Sequence, residues 1–180
     1  MCGIIAAASE RNVGKLLVKG LHKMEYRGYD SAGIALHQKD NITHLRTLGK
    51  VKLLEEKMIS EKPKSKLGIA HTRWATHGEP SEENAHPHKS NERVYIVHNG
   101  IIENYIELKK FLKEEGYNFS SQTDSELIAH MIEYFLGEGN NMLDSMYLTK
   151  KKLDGAYAIA AIDKEDDTRI IIARSKSPLL

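Results

Sequence analysis

The sequence has a single cysteine, almost no net charge and no long apolar run, and each of these absences excludes a class of protein. One cysteine cannot form an internal disulfide. With 26 Lys and Arg against 25 Asp and Glu, the formal net charge of +1 argues against wholesale binding of nucleic acid or of anionic membranes. No apolar run approaches the length of a membrane span, and the first residues lack the pattern of a secretory signal. Together these absences predict a soluble cytoplasmic protein.

Nucleotide-binding motifs are also missing, since no GxGxxG follows a predicted strand and no Walker A sequence occurs. What the chain does have is the length of one domain and 41% hydrophobic residues, enough to bury a core without disulfides or a structural metal. Its strand-like runs come as hairpins and its helix-like runs come in groups. This order favours the α+β class with antiparallel sheets over alternating βαβ units.

Hydrophobic periodicity predicts a set of short strands and helices. The strands are expected over residues 3–8, 33–37, 42–48, 67–72, 94–98, 156–163 and 169–173, and the helices over about 12–24, 51–59, 105–115, 124–136 and 142–153. Thr123 and Glu126 have the spacing of a capping box for the fourth helix. The long polar connection over 73–93 is expected to be functional, and its tryptophan and three histidines argue against disorder.

Cys2 is the only cysteine, and its place as the second residue suggests chemistry. Removal of the initiator methionine, which is common before a small residue, would leave a cysteine with a free α-amine. A thiol with its ordinary pKa of ~8.5 is a good nucleophile once deprotonated, and an α-amine with a pKa near ~8 is a competent base. One residue would then supply both nucleophile and base, as in the N-terminal threonine hydrolases. The alternative is a small buried hydrophobic residue that starts a strand.

Three further positions carry groups that could bind or stabilise a substrate. Arg73 and Trp74 directly follow a predicted strand, where an arginine can clamp a carboxylate, although a surface salt bridge is the alternative. Asn99 and Gly100 end an apolar strand and could form an oxyanion hole, or else an ordinary turn. Asp124, in the first turn of a predicted helix, could bind an ammonium group or simply complement the helix dipole.

Five histidines fall within a short span: His71, His77, His86, His88 and His98. The His-X-His pair formed by His86 and His88 raises the possibility of a zinc site. The span has no cysteine, and its only nearby acids are loop glutamates, so a metal site is the weaker reading of these histidines. The polar, glycine-containing segment 25–33 runs straight into a strand and is expected to pack under a site.

Eight motifs in a fixed order carry a family resemblance. They are CGI (2–4), YRGYDSAG (26–33), HTRWATHG (71–78), NAHPH (84–88), VHNGIIEN (97–104), TDSELIAH (123–130), GAYA (155–158) and ARSKSPL (173–179). Over essentially the whole chain they resemble the glutaminase domain of the isomerizing glucosamine–fructose-6-phosphate aminotransferases, which are class II glutamine amidotransferases of the N-terminal-nucleophile hydrolase superfamily. The amidophosphoribosyltransferases are similar around Cys2 and YRGYDSAG, but the HTRWATHG and NAHPH stretches favour the aminotransferases.

The resemblance implies a four-layer αββα sandwich with two antiparallel sheets. It implies that residues 1–180 form a glutaminase domain, which hydrolyses L-glutamine to glutamate and ammonia through a γ-glutamyl thioester. In the full-length protein, C-terminal sugar-isomerase domains, absent from this chain, would use the ammonia to make glucosamine 6-phosphate from fructose 6-phosphate. The full-length protein would be a homo-oligomer, and no cofactor or metal is implied.

The resemblance also implies residue roles. Cys2 would attack the side-chain amide of glutamine, with its own α-amine moving the proton, while Asn99 and Gly100 hold the oxyanion. Arg27 would help to order the N-terminus.

The remaining roles implied by the resemblance concern glutamine binding. Arg73 would bind the α-carboxylate and Asp124 the α-ammonium group. Trp74 would belong to the loop that closes over the substrate, and the pocket would be lined by Thr76, His77 and His86. Two alternatives stay open: the glutaminase domain of another class II amidotransferase, such as amidophosphoribosyltransferase, or a non-catalytic metal-binding module.

Overall fold

Two four-stranded antiparallel sheets form the centre of the molecule in the computed structural model, which describes residues 2–74 and 78–178. The first sheet has the order β1-β4-β2-β3 and consists of β1 (Gly3–Ala8), β2 (Ser31–Gln38), β3 (Asn41–Leu48) and β4 (Leu67–Arg73). The second has the order β5-β6-β7-β8 and consists of β5 (His88–Ser90), β6 (Val94–Ile102), β7 (Gly155–Asp163) and β8 (Asp166–Ser175). Every pairing between neighbouring strands is antiparallel, as the hairpin pattern predicts.

Helices cover the outer face of each sheet. Helices α1 (Gly14–Met24) and α2 (Val51–Glu61) pack on the first sheet, and a short 3-10 turn, Glu25–Arg27, follows α1. Helices α3 (Tyr105–Glu114), α4 (Glu126–Gly137) and α5 (Met142–Lys152) form one apolar cluster with the second sheet. The four layers are therefore α, β, β and α, which confirms the expected sandwich. None of the helices in the described ranges is long and apolar enough to cross a membrane.

The space between the two sheets is apolar over part of its length. A buried cluster there joins side chains of both sheets: Ala35, Ile42, Leu67, Ile69, Tyr95, Val97, Ala160 and Ile162. Because side chains alternate between the two faces of a strand, the residues that follow at steps of two share this inner face. On β4 they are His71 and Arg73, and on β6 the next is Asn99. One end of the interlayer space is therefore polar.

Strand β6 is longer than its hydrophobic pattern predicts, and Asn99 and Gly100 lie inside it rather than at its end. Gly100 pairs with Tyr157 across the sheet and has φ of +135°, a conformation that L side chains rarely adopt. A Cβ at this position would lie 2.0 Å from the carbonyl oxygen of Ala156. The strand thus continues through the Asn-Gly pair only because residue 100 is glycine.

The capping box predicted at Thr123 and Glu126 is wrong. Helix α4 begins at Glu126, and its N-cap residue, Ser125, makes no side-chain capping hydrogen bond. The Glu126 carboxylate instead accepts hydrogen bonds from the backbone N–H groups of Ser120 and Ser121, at 2.8 and 2.6 Å. Glu126 therefore fixes the loop before the helix, and Asp124 lies in that loop rather than in the first helical turn.

Candidate active site

A pocket opens at the polar end of the interlayer space. It is lined by Cys2, Arg73, Trp74, His86, His98, Gly100, Thr123, Asp124 and Ser125. Six of these nine residues are predicted site residues, while His98, Thr123 and Ser125 are additions. Two further predicted residues, Arg27 and Asn99, contact the main chain of Cys2. The predicted pocket residues Thr76 and His77 lie outside the described residues.

Cys2 lies directly before β1, and its thiol contacts the backbone of Trp74. The Trp74 N–H donates to Cys2 Sγ at 3.3 Å, and Sγ lies 3.6 Å from the Trp74 carbonyl oxygen. Burial raises the pKa of the Cys2 thiol above its ordinary value, because the charged thiolate is poorly solvated there. The thiol is therefore protonated at neutral pH and needs a base in order to act as a nucleophile.

The backbone carbonyl of Cys2 is held by two side chains from different parts of the fold. Arg27 Nε donates to it at 3.3 Å, from the 3-10 turn after α1. Asn99 Nδ2 donates to the same oxygen at 3.2 Å, from β6 of the second sheet. These bonds fix the main chain from which the Cys2 side chain extends.

Arg73 supplies a buried positive charge at the pocket wall. Its side chain is 5% exposed, and its guanidinium donates to the carbonyl oxygens of Gly78 and Glu79 at 3.1 and 3.4 Å. The carboxylate of Asp30 lies 3.9 Å away. A planar, permanently charged group in this position is suited to bidentate binding of a carboxylate.

The segment before β2 packs against the Arg73 backbone, as predicted for residues 25–33. The Asp30 N–H donates to the Arg73 carbonyl at 3.2 Å. A Cβ on Gly28 would lie 2.7 Å from the Arg73 carbonyl carbon and 2.9 Å from Trp74 N. The glycine therefore allows this segment to support the strand end that carries Arg73 and Trp74.

Asp124 supplies a buried negative charge to the same pocket. Its Oδ2 accepts from the Ile102 N–H at 2.8 Å, and its Oδ1 lies 3.4 Å from Ser125 Oγ. Ser125 Oγ in turn lies 2.8 Å from His98 Nδ1. Burial lowers the pKa of His98 to about 4, so this imidazole is neutral at pH 7 and the negative charge of Asp124 is not cancelled by it.

His86 stands behind the pocket in a stack of buried imidazoles. Its ring lies 4.1 Å from that of His71 and 4.5 Å from that of His88, measured between centroids. Burial lowers the pKa of His86 well below its ordinary value and that of His71 and His88 to about 3. The stack is therefore uncharged at neutral pH, because each charged form would lose its hydration.

The His86–His88 pair is engaged in hydrogen bonds within the protein. His86 Nδ1 accepts from the His98 N–H at 3.3 Å, and His88 Nε2 lies 3.0 Å from Thr123 Oγ1. Within residues 2–74 and 78–178, no group of three or more His, Cys, Asp or Glu side chains is arranged to hold a metal ion.

Sequence reasoning gave no catalytic or substrate-binding role to four residues at this site. His71 could have been found from alternation, since it lies two positions from both Ile69 and Arg73 on the inner face of β4. His98 lies inside β6, and Thr123 and Ser125 lie in a loop whose path depends on Glu126, so none of the three carries such a signal.

Comparisons with known proteins were made against family models and curated sequences. A family model described as a glutamine amidotransferase domain matches residues 71–179. The glutamine–fructose-6-phosphate aminotransferase (isomerizing) of Vibrio parahaemolyticus is 51% identical over 181 residues, and that of Haemophilus influenzae is 52% identical over 182 residues. Each match covers 100% of this chain and 30% of the relative, so the chain spans less than a third of these proteins.

Solved structures with the same fold include two enzymes of larger size. The glutamine phosphoribosylpyrophosphate amidotransferase from B. subtilis, complexed with ADP and GMP, has a TM-score of 0.78 at 25% identity over 91% of this chain and 35% of that chain. A structure described as the allosteric regulatory enzyme of purine biosynthesis has a TM-score of 0.81 at 27% identity, over 97% of this chain and 37% of that chain.

Proposed function

Because the chain belongs to the glutamine amidotransferase family, we propose that it hydrolyses L-glutamine to glutamate and ammonia, with Cys2 as the nucleophile. The observation that carries the proposal is the content of one pocket. A cysteine thiol lies there together with a buried guanidinium, Arg73, and a buried carboxylate, Asp124. A free amino acid carries the complementary pair of charges, a carboxylate and an ammonium group, beside its reactive side chain.

The two charges would set the register of the substrate. Arg73 binds the α-carboxylate of glutamine and Asp124 binds the α-ammonium group, so that the side-chain amide extends towards Cys2. Amides that lack either charge would lose one of these two charge-assisted interactions and would bind more weakly. His86 and Trp74 complete the wall, and Thr76 and His77 belong to the same proposed site.

The proton of the thiol must pass to a base when the sulfur attacks. In the described part of the chain, the thiol's hydrogen bonds are to the backbone of Trp74 and none is to a side-chain base. The α-amine of Cys2, freed by removal of the initiator methionine, is the base we assign, since it belongs to the same residue and its ordinary pKa is near ~8.

The reaction then proceeds in two balanced steps. Sγ forms a bond to the amide carbon, the oxygen becomes an oxyanion held by the Asn99 side chain and the Gly100 N–H, and ammonia leaves with the thiol proton. Water next attacks the γ-glutamyl thioester, releasing glutamate and restoring the thiol. Each oxyanion donor is typically worth about 3 kcal/mol in the transition state. Arg27 is a positioning residue, since it contacts the Cys2 carbonyl rather than the pocket.

The ammonia has a proposed destination outside this chain. The two aminotransferases are 51% and 52% identical to this chain, whereas the two solved structures are 25% and 27% identical to it. We therefore favour delivery to a sugar-isomerase part that aminates fructose 6-phosphate to glucosamine 6-phosphate, in a cytoplasmic homo-oligomer. Release of glucosamine 6-phosphate by the gene-encoded full-length protein would support this, and phosphoribosylamine as the product would favour the amidophosphoribosyltransferase alternative.

The glutaminase proposal is tested by glutamate release from free L-glutamine. Mass spectrometry first establishes that the protein begins at Cys2. We then expect turnover by the trimmed protein and covalent capture of an electrophilic glutamine analogue at Cys2. A matched protein with one extra residue fused before Cys2 should show neither, because its α-amine no longer belongs to the cysteine. Full activity of the extended protein would overturn the assignment of the base, and no turnover by the trimmed protein would overturn the function.

A further inference from the structure

Asn99 can stabilise an oxyanion only if its amide is turned the right way. A side-chain amide has a carbonyl oxygen that accepts and an NH₂ group that donates, and a rotation of 180° about the last bond exchanges them. An Asn99 oxygen turned towards the reacting carbon would repel the developing negative charge. The proposed function therefore needs a contact that selects one of the two orientations.

His71 makes that contact from the opposite sheet. Its Nε2 lies 2.8 Å from Asn99 Oδ1 and 3.2 Å from the backbone carbonyl oxygen of His98. A backbone carbonyl can only accept, so the nitrogen that faces it must carry the hydrogen. An Nε2–H that also faces Asn99 selects the amide oxygen as its partner.

The other end of the amide gives the same answer independently. Asn99 Nδ2 lies 3.2 Å from the carbonyl oxygen of Cys2, which again can only accept a hydrogen bond. Both ends of the amide thus agree, and the NH₂ group, with its two hydrogens, points to the main chain of Cys2. One hydrogen binds the Cys2 carbonyl, and the second is the donor that the proposed function assigns to the oxyanion.

The imidazole of His71 is held so that its Nε2 donates a hydrogen bond to Asn99 and cannot accept one from it. It is fully buried, stacked on His86 with an interplanar angle of 28°, and lies opposite Ile4 and Gly33 in the first sheet. Burial lowers its pKa to about 3, so the neutral ring carries one hydrogen, and the two acceptors place that hydrogen on Nε2. In the described part of the chain, its Nδ1 has no hydrogen-bond partner. A side chain that only filled this space would gain nothing from a buried unpaired nitrogen.

We propose that His71 is a positioning residue, which donates from Nε2 to Asn99 Oδ1 and so turns the amide N–H of Asn99 towards the oxyanion. This inference rests on the proposed function, because it assumes that Asn99 stabilises the reaction of Cys2. His71 does not touch the substrate and acts through Asn99 alone.

The test compares two replacements of His71 in the full-length protein from which the initiator methionine has been removed. His71→Phe keeps a ring against His86 but removes the donor, and we expect kcat for glutamate release to fall roughly 10- to 100-fold with KM little changed. His71→Gln restores an N–H donor near the position of Nε2 and should recover most of the lost kcat. An equal loss in both variants, or a normal kcat in His71→Phe, would overturn the proposal.

A double-mutant cycle separates positioning from a general structural effect. In an Asn99→Ala background, His71→Phe should cause no further loss of kcat, because the amide that it orients is gone. Effects that multiply would overturn the proposal. If Asn99→Ala alone has normal kcat, the oxyanion role fails instead, and with it the premise; loss of activity in Cys2→Ala is independent of both outcomes.

A spectroscopic measurement keeps the inference testable if His71→Phe does not fold. In ¹⁵N-labelled parent protein at neutral pH, the His71 ring should be the neutral tautomer with hydrogen on Nε2. A neutral ring with hydrogen on Nδ1 would overturn the proposal, since its bare Nε2 could not donate to Asn99 Oδ1 or to the His98 carbonyl.

Discussion

The space between the two sheets has an apolar part and a polar end, built on the same strands. Along β4 and β6 the inner face carries Ile69 and Val97 first and then His71 and Asn99. Both parts are buried and both obey the same alternation of side chains. They differ in how burial is compensated, by transfer of apolar surface in one and by hydrogen bonds between polar groups in the other. The first part should therefore govern stability and the second activity.

The sharpest test of this division is removal of the thiol. Cys2→Ala should lower glutamate release by at least about 10³-fold, because the nucleophile is gone. The free energy of unfolding should change by less than about 1 kcal/mol, since the residue is held through its backbone carbonyl. A glutamate assay and urea denaturation of the same preparation measure the two effects, and retained turnover would contradict the thiol mechanism.

The reverse result is expected in the apolar part. Ile69 is fully buried between the sheets, and Ile69→Ala should lower the free energy of unfolding by about 2–5 kcal/mol through the cavity that it leaves. The matched change Ile69→Val should cost about 0.5–1.5 kcal/mol. The kcat of the folded protein should stay close to that of the parent. A large loss of kcat in well-folded Ile69→Val would show that the two parts are not separable.

Arg73 lies at the boundary, because it is buried like a core residue but faces the pocket. Arg73→Ala should raise KM for glutamine roughly 10- to 100-fold, which corresponds to loss of hydrogen bonds to a charged group. Arg73→Lys keeps the charge without the bidentate geometry, so its KM should lie between that of the parent protein and that of Arg73→Ala. Steady-state kinetics on protein checked by thermal unfolding would measure this, and a normal KM in Arg73→Ala would remove the assigned role.

The smallest expected effect is the contribution of His98 to the pH dependence of the free energy of unfolding. Burial lowers the pKa of His98 to about 4, below the ordinary value near ~6.5 that it regains on unfolding. Between these values the unfolded chain binds more protons, so the folded state loses stability as the pH falls from about 6.5 towards 4. His98→Asn should flatten this slope by up to about 1.4 kcal/mol per pH unit, measured by denaturation at pH 7 and pH 5. An unchanged slope would contradict a neutral His98.

The sequence predicts the elements of the fold well because their patterns are local. Helix and strand periodicities are set by neighbours in the chain, and the elements predicted at 3–8, 51–59 and 156–163 differ from β1, α2 and β7 by at most two residues at either end. Strand β5 was not predicted, because three residues are too few to show alternation. The end of β6 was predicted too early because an Asn-Gly pair is typical of a turn.

The site was predictable where a residue type implies its own chemistry. A second-position cysteine, an arginine at a strand end and an Asn-Gly pair can each be interpreted in isolation. His71 and Glu126 cannot, since the first acts on Asn99 across the two sheets and the second on Ser120 and Ser121 in the preceding loop. Such roles depend on distances between layers, which no local pattern contains.

The hydrogen bonds from Arg27 and Asn99 to the backbone carbonyl of residue 2 have a practical consequence. Because neither contact involves the side chain, residue 2 could be replaced by another nucleophilic residue without loss of these two hydrogen bonds. Chemical ligation could install serine, threonine or selenocysteine there, and the backbone carbonyl of each would accept the same two hydrogen bonds. Differences in rate among such semisynthetic enzymes would then compare oxygen, sulfur and selenium nucleophiles on a main chain held in one place.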